Sequence, residues 1–270
     1  MRRKLYLIIS DGGGNTPLRG VHIDKDNFLN FFKAPEGGAW KDDEILVFEN
    51  NDFDLEILKI NDLNARIDKK PIDFYLIVYC GHGFTDQHKQ INFEVRPDNY
   101  LKLNDLLGAV AKSRCLVIAD SCRAIYHLQE GGRIADVRLF STSEDARNSV
   151  YADLCRNMYN DLIVATPSTM QVVYFSNSYG ETADENSRDG GVYSHELLAA
   201  AKRKKEEFET LQHTNNNSYY ATIDEIHAEA AGMVMNKTHN RQHPEIYLDC
   251  RSKARLPFVV VPHWQLQLDD

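Results

Sequence analysis

Apolar residues along this chain come in short dense runs, separated by stretches in which they recur every three or four positions. The runs are LYLII (5–9), EILVF (44–48), FYLIVY (74–79), CLVIAD (115–120), LIVAT (162–166) and RLPFVVV (255–261). Each is rich in β-branched or aromatic residues, as expected of a strand buried on both faces. Between them, residues 18–33, 54–67, 103–112, 192–208 and 221–236 carry helical spacing. Strand alternating with helix predicts crossover connections and an α/β fold, a mostly parallel β-sheet with helices on both faces. The stretches 123–160 and 176–190 have neither period and are predicted to be irregular, as is the polar segment 213–218. No internal repeat is visible.

Two of the predicted strands end on residues with chemistry. FYLIVYCGHG (74–83) closes on Gly81-His82-Gly83. Functional groups of open parallel sheets gather beyond the carboxyl ends of the strands, and flanking glycines let the backbone turn there and approach a ligand. Taken alone, these ten residues leave open whether His82 is functional or an incidental turn residue. CLVIADSCRA (115–124) supplies a companion, running from a second buried strand into Asp120-Ser121-Cys122-Arg123. One crossover helix, 103–112, joins the two strands, so they are expected to be neighbours with His82 and Cys122 close together. An imidazole that takes a thiol proton and a thiolate that attacks form a nucleophile and base pair.

Composition narrows the field. The 270 residues are 43% hydrophobic and 26% charged, as in an ordinary globular protein. A formal net charge of -9 argues against nucleic acid or an anionic membrane as partner. The basic run Lys202 to Lys205 is offset by Glu206, Glu207 and Glu209. Five cysteines without a C-x-x-C pair suit a reducing compartment and speak against a disulfide framework or a thiolate zinc site. The apolar run after MRRK is too short for a signal peptide, and no stretch reaches membrane-spanning length, so a cytoplasmic location is expected.

The combination of Gly-His-Gly after the third strand and Asp-Ser-Cys after the fourth resembles the caspase-type cysteine peptidases, and the DSC form is similar to metacaspases and their bacterial relatives, the orthocaspases. LRGVHIDKDNFLNFF (18–32) resembles the metacaspase segment L-R-G-C-x-N-D, with Asp24 on its aspartate. QHPEIY (242–247) is similar to a late Q-x-P element, and GGVYSHELLAAA (190–201) to the helix after the specificity loop. The resemblance implies one caspase-like domain over 1–270. Its larger portion would run to about 130, its connecting segment over about 123–160, and its smaller portion from about 160. It implies a cysteine endopeptidase with Cys122 as nucleophile and His82 as base and acid. The backbone N–H groups of Gly83 and Cys122 would form the oxyanion hole. Asp120 stands where the animal enzymes have a pocket glutamine, and with Asp24 it would make a pocket for basic side chains, Arg before Lys. The implied partner is a protein or peptide with Arg or Lys before the cut bond, with room for a regulatory partner or upstream activator. Self-processing would fall after Arg133, Arg138, Arg147 or Arg156, or after Arg188 in the 176–190 loop.

Departures from the pattern matter too. Metacaspases follow the nucleophile with His-Ser-Gly, whereas Arg123-Ala124-Ile125 stands here. After the histidine motif only Asp86, Glu94 and Asp98 are scattered among basic residues, which argues against a calcium requirement; no cofactor and no metal site are expected. His239 and His243 share an i,i+4 spacing, but Pro244 opposes a helix and no third ligand is evident. His195, Cys80 and Cys115 read as ordinary packed residues, and DGGGN (11–15) lacks the order of a phosphate-binding glycine motif. Two further readings stay open: a catalytically silent scaffold or binding module, and a non-proteolytic α/β hydrolase or transferase using the same pair.

Overall fold

The computed structural model describes residues 1–12, 17–50, 53–125, 146–186, 188–248 and 255–263. In chain order the elements are β1 (Arg3–Ser10), α1 (Gly20–Lys33), β2 (Ile45–Glu49), α2 (Leu55–Ile67), β3 (Phe74–Gly81), β4 (Gly83–Thr85), β5 (Ile91–Arg96), β6 (Asn99–Lys102), α3 (Leu103–Ala109) and β7 (Arg114–Asp120). They continue with α4 (Ala146–Val164), β8 (Gln171–Phe175), β9 (Glu185–Asn186), β10 (Gly190–Gly191), α5 (Val192–Asn215), β11 (Tyr219–Thr222), α6 (Ile223–Lys237), β12 (Glu245–Leu248) and β13 (Pro257–Val261).

The central sheet has the order β12-β8-β7-β3-β1-β2. Five of its strands run parallel, and β12 closes one side antiparallel to β8. Register is set by burial on both faces. Leu5 pairs with Leu76, Leu76 with Leu116 and Leu116 with Val172, so one row crosses the sheet in a single apolar layer. Alternate residues of each strand therefore serve opposite cores. Leu7, Val78 and Ile118 pack under α1, α4, α5 and α6 through Phe28, Phe32, Tyr159, Leu197 and Ile226. Tyr6, Tyr79 and Val117 face α2, α3 and β5 through Leu58, Leu106 and Phe93. This is the expected mostly parallel sheet with helices on both faces.

Local chemistry starts some helices and not others. Asp54 accepts the Glu56 N–H at 2.9 Å and opens α2, while Thr222 and Glu225 form a reciprocal capping box on α6. The longest helix, α5, begins after Gly191 with no side-chain cap of its own.

Two expectations need correction. LIVAT (162–166) is not a strand but the end of α4, because Cys155, Tyr159 and Ile163 share a buried face at spacing four. A short apolar run cannot be told from a buried helix turn by periodicity, and the real strand is β8, nine residues on. The stretch 123–160 is accordingly not all irregular, since α4 occupies its later part. RLPFVVV does form a strand, but β13 pairs antiparallel with β11 outside the central sheet. Residues 83–102, unassigned from the sequence, form the antiparallel meander β4-β5-β6.

Candidate active site

Register alone brings the two motif residues level. Cys80 on β3 pairs with Asp120 on β7, and His82 and Cys122 each lie two residues further on. Past the ladder the two segments stay together: the Thr85 N–H donates to the Ala124 carbonyl at 3.1 Å. Gly83 is the contact point. A Cβ there would come within 2.8 Å of Ser121 Oγ and 2.9 Å of the Cys122 carbonyl oxygen, so only glycine allows the approach. The Ser121 hydroxyl beside it is buried and has no hydrogen-bond partner among the described residues. A buried hydroxyl left this way is costly, and such groups concentrate at functional sites.

His82 is held by its backbone. Its carbonyl accepts the Glu94 N–H at 2.9 Å, and the Tyr79 hydroxyl lies 2.5 Å from it. The imidazole packs on Gly12, where a Cβ would stand 2.1 Å from Cδ2. Gly12 also has a φ of 76°, so the exit of β1 needs glycine twice over.

Cys122 is partly buried, and its Sγ accepts the Ala183 N–H at 3.3 Å. Burial pushes its thiol up from the ordinary range, and the Asp120, Asp184 and Glu185 carboxylates push the same way against the Ala183 hydrogen bond. The next residue anchors the turn. Arg123 stacks on Phe175 with 4.2 Å to the ring centre and donates to the Asn177 carbonyl at 3.0 Å and to Glu245. The QHPEIY segment braces the facing loop as well, because Gln242 donates to the Ser176 carbonyl at 2.8 Å and accepts the Asp184 N–H at 3.0 Å.

The structure also brings Asp24 and Asp120 together. Asp24 lies on the buried stripe of α1 with Val21 and Phe28, a position where helical periodicity calls for an apolar residue. Its carboxylate accepts the Gly191 N–H at 3.0 Å and 3.1 Å. Asp120 accepts the Ser194 N–H at 2.9 Å and the Ser194 hydroxyl at 2.7 Å. The two carboxylates thus supply, from α1 and β7, the cap that α5 lacks. A Cβ on Gly191 would stand 2.2 Å from Asp120 Oδ2 and 3.3 Å from Asp24 Oδ2, so both crowd the same point. Burial holds the Asp24 carboxyl far above its ordinary range, and the Asp120 charge adds to it; burial likewise raises Asp120, against the Ser194 hydrogen bonds.

A third carboxylate was not foreseen. Glu185, on β9, accepts the Gly20 N–H at 3.1 Å, and burial with the Asp120 charge raises its carboxyl. Nothing in the polar string TADEN marks it in sequence; the pairing of β9 with β10 brings it to the site.

The remaining candidates lie elsewhere. Arg133 and Arg138 fall outside the described residues. Arg147 is near the start of α4, and Arg156 sits within that helix with its guanidinium 2.5 Å from Glu44. Arg188 is in an exposed turn where its N–H donates to Asn186 at 2.9 Å. Among the described residues no group of three or more His, Cys, Asp or Glu is gathered as a metal site. No helix among them is long and apolar enough to cross a membrane.

Comparison with known proteins agrees with this architecture. No curated protein matches the sequence. Among solved structures, caspase-1 from Spodoptera frugiperda superposes with a TM-score of 0.55 at 14% identity, covering 91% of this chain and 86% of that one. A protein from Geobacter sulfurreducens superposes with a TM-score of 0.57 at 12% identity, covering 95% and 97%. Likeness at such identities speaks for the fold alone. The family model of the caspase domain (Peptidase_C14), however, matches residues 3–255, and the chain therefore belongs to the caspase-domain family of cysteine peptidases.

Proposed function

We propose that this protein is a cysteine endopeptidase that cuts after basic residues, Arg before Lys, in the manner of metacaspases and orthocaspases. The observation that carries the specificity is the pair of buried carboxylates, Asp24 and Asp120, at one point beside Cys122. A cationic side chain entering there would meet both, and the planar fork of Arg suits carboxylates better than the point charge of Lys. Glu185 adds a third negative group next to them. An aspartate side chain in the same place would meet negative charge with no cation to offset it.

In this reading His82 takes the Cys122 proton as substrate binds, the thiolate attacks the carbonyl carbon, and the Gly83 and Cys122 N–H groups receive the oxyanion. His82 then returns the proton to the leaving amine, and water releases the acyl group. Burial and the neighbouring carboxylates favour the thiol over the thiolate, so His82 has to draw the proton off for the attack. This chemistry needs no cofactor or calcium. For self-processing, Arg188 lies in an exposed turn, whereas a cut after Arg156 would first require α4 to open.

The test is a set of otherwise identical peptides with Arg, Lys, Asp or Ala before the cut bond, given to wild type and to Cys122→Ala. Cleavage of Arg over Lys peptides by wild type alone is expected; efficient cutting after Asp would refute the pocket.

A further inference from the structure

The carboxylates of Asp24 and Asp120 are a physical problem for the protein when no substrate is bound. Two like charges side by side in a buried site do not both ionise unless something offsets the second charge. The donors on hand are the Gly191 N–H for Asp24, and the Ser194 N–H and the Ser194 and Ser176 hydroxyls for Asp120; all are neutral. Nearby basic side chains are engaged elsewhere: Lys25 with Glu49 at 2.9 Å, Arg241 with Asp184 at 2.6 Å, and Arg123 with Glu245. Among the titratable groups acting on the pair are Glu185 from β9, the Cys80 thiol from β3, Cys122 beyond β7 and Tyr193 from α5. All of these are acids. Among the described residues no Lys or Arg forms an ion pair with either aspartate.

We propose that in the ligand-free protein Asp24 and Asp120 share a proton, and that a guanidinium entering their pocket displaces it to solvent, one proton out for one cation in. The inference rests on the reading of this pocket as the site for a basic side chain. The pair goes from one negative charge to two as the cation brings one positive charge, so the exchange balances. The raised Asp24 and Asp120 carboxyls are what such sharing requires. A neutral side chain displaces no proton, so preference for Arg over a neutral residue grows as pH rises. The affinity for Arg climbs while the pair still holds its proton and levels off once the pair has lost it.

Calorimetric titration of Cys122→Ala, which cannot turn over, with Nα-acetyl-arginine N-methylamide tests this. Runs at neutral pH in buffers of different ionisation enthalpy count the protons. About one proton released per ligand is expected, with affinity rising about tenfold per pH unit below the plateau. Adding Asp24→Asn should weaken binding and remove the proton release, since Asn still accepts the Gly191 N–H and leaves one carboxylate. Infrared spectra supply an arm that needs no ligand: a carboxylic acid C=O band at neutral pH, lost in Asp24→Asn. Binding without proton release, or release undiminished in Asp24→Asn, overturns the exchange. If Arg peptides are still cut selectively in that event, the basic pocket survives and only the shared proton fails. No binding at all, with no Arg preference in cleavage, overturns both.

Discussion

The two ends of the central sheet treat buried charge in opposite ways. At the amino ends of the strands, Arg3 is almost wholly buried, yet it is paired on every side. It donates to Glu44 at 3.4 Å and to the Gly38 carbonyl at 2.6 Å, and it lies over the Trp40 ring at 4.2 Å. Arg156 reaches the same Glu44 at 2.5 Å from α4. Burial lowers the Arg3 guanidinium to about 10, while the two arginines hold the Glu44 carboxyl below its usual range. At the carboxyl ends, Asp24 and Asp120 are as deeply buried, but what they accept from is backbone N–H and serine hydroxyls, all neutral. A charge cluster completed by its own chain serves stability. One completed only in part is available to a ligand, and the fold bears the strain of keeping it.

Breaking each end should therefore do different damage. The largest effect is expected from Cys122→Ala and His82→Ala, each lowering turnover by about 10⁴-fold or more, with losses that do not add. Neither should lower the melting temperature by much, and persistent turnover in a steady-state assay would sink the dyad. Next comes Glu44→Ala, which removes the carboxylate shared by the buried Arg3 and the partly buried Arg156 and should cost about 3–5 kcal/mol. For a chain of this size that is a fall in melting temperature of roughly 10 °C, with peptide cleavage intact well below it. Because the folded Glu44 carboxyl is lowered, its contribution is present above the unfolded value and fades as pH falls through the folded one. Wild type and Glu44→Ala should thus converge in acid.

Asp120→Asn reverses the pattern. It should reduce kcat/KM on Arg peptides by about 100-fold, while unfolding at neutral pH stays unchanged or moves upward. Indifference of Arg peptides to this change would place the specificity elsewhere. The smallest effect concerns pH. The folded Asp24 carboxyl is raised, so wild type loses stability as pH climbs from the unfolded value toward the folded one. Asp24→Asn has no such loss. Its melting temperature relative to wild type should rise steadily from acid to neutral pH, and a flat difference would mean that folding does not raise the Asp24 carboxyl.

The amino-acid order made some of this readable and hid the rest. The strands that line up His82 and Cys122 were legible because burial on both faces demands unbroken apolar runs, and two such runs joined by one helix are neighbours. Asp24 was legible through its motif, and in retrospect through its place on an apolar helix stripe. The helix over 146–164 was not, because most of α4 shows weak periodicity and its last turn imitates a strand. Glu185 and the bracing residues Gln242 and Glu245 were not assigned these contacts either, since each acts on partners more than fifty residues away and carries no local signature.

The sequence by itself determined that a parallel sheet would form, and that a thiol and an imidazole would emerge at adjacent strand ends. These follow from short-range patterns of apolar side chains and from the two glycines around His82. Only the tertiary structure decided the charge balance of the site. Whether a buried carboxylate meets an arginine, as Glu44 does, or a helix N-terminus, as Asp120 does, depends on which distant segments pack against it. Coulomb energies and desolvation act through space rather than along the chain, so their sign was set only when α5 docked its uncapped end between α1 and β7.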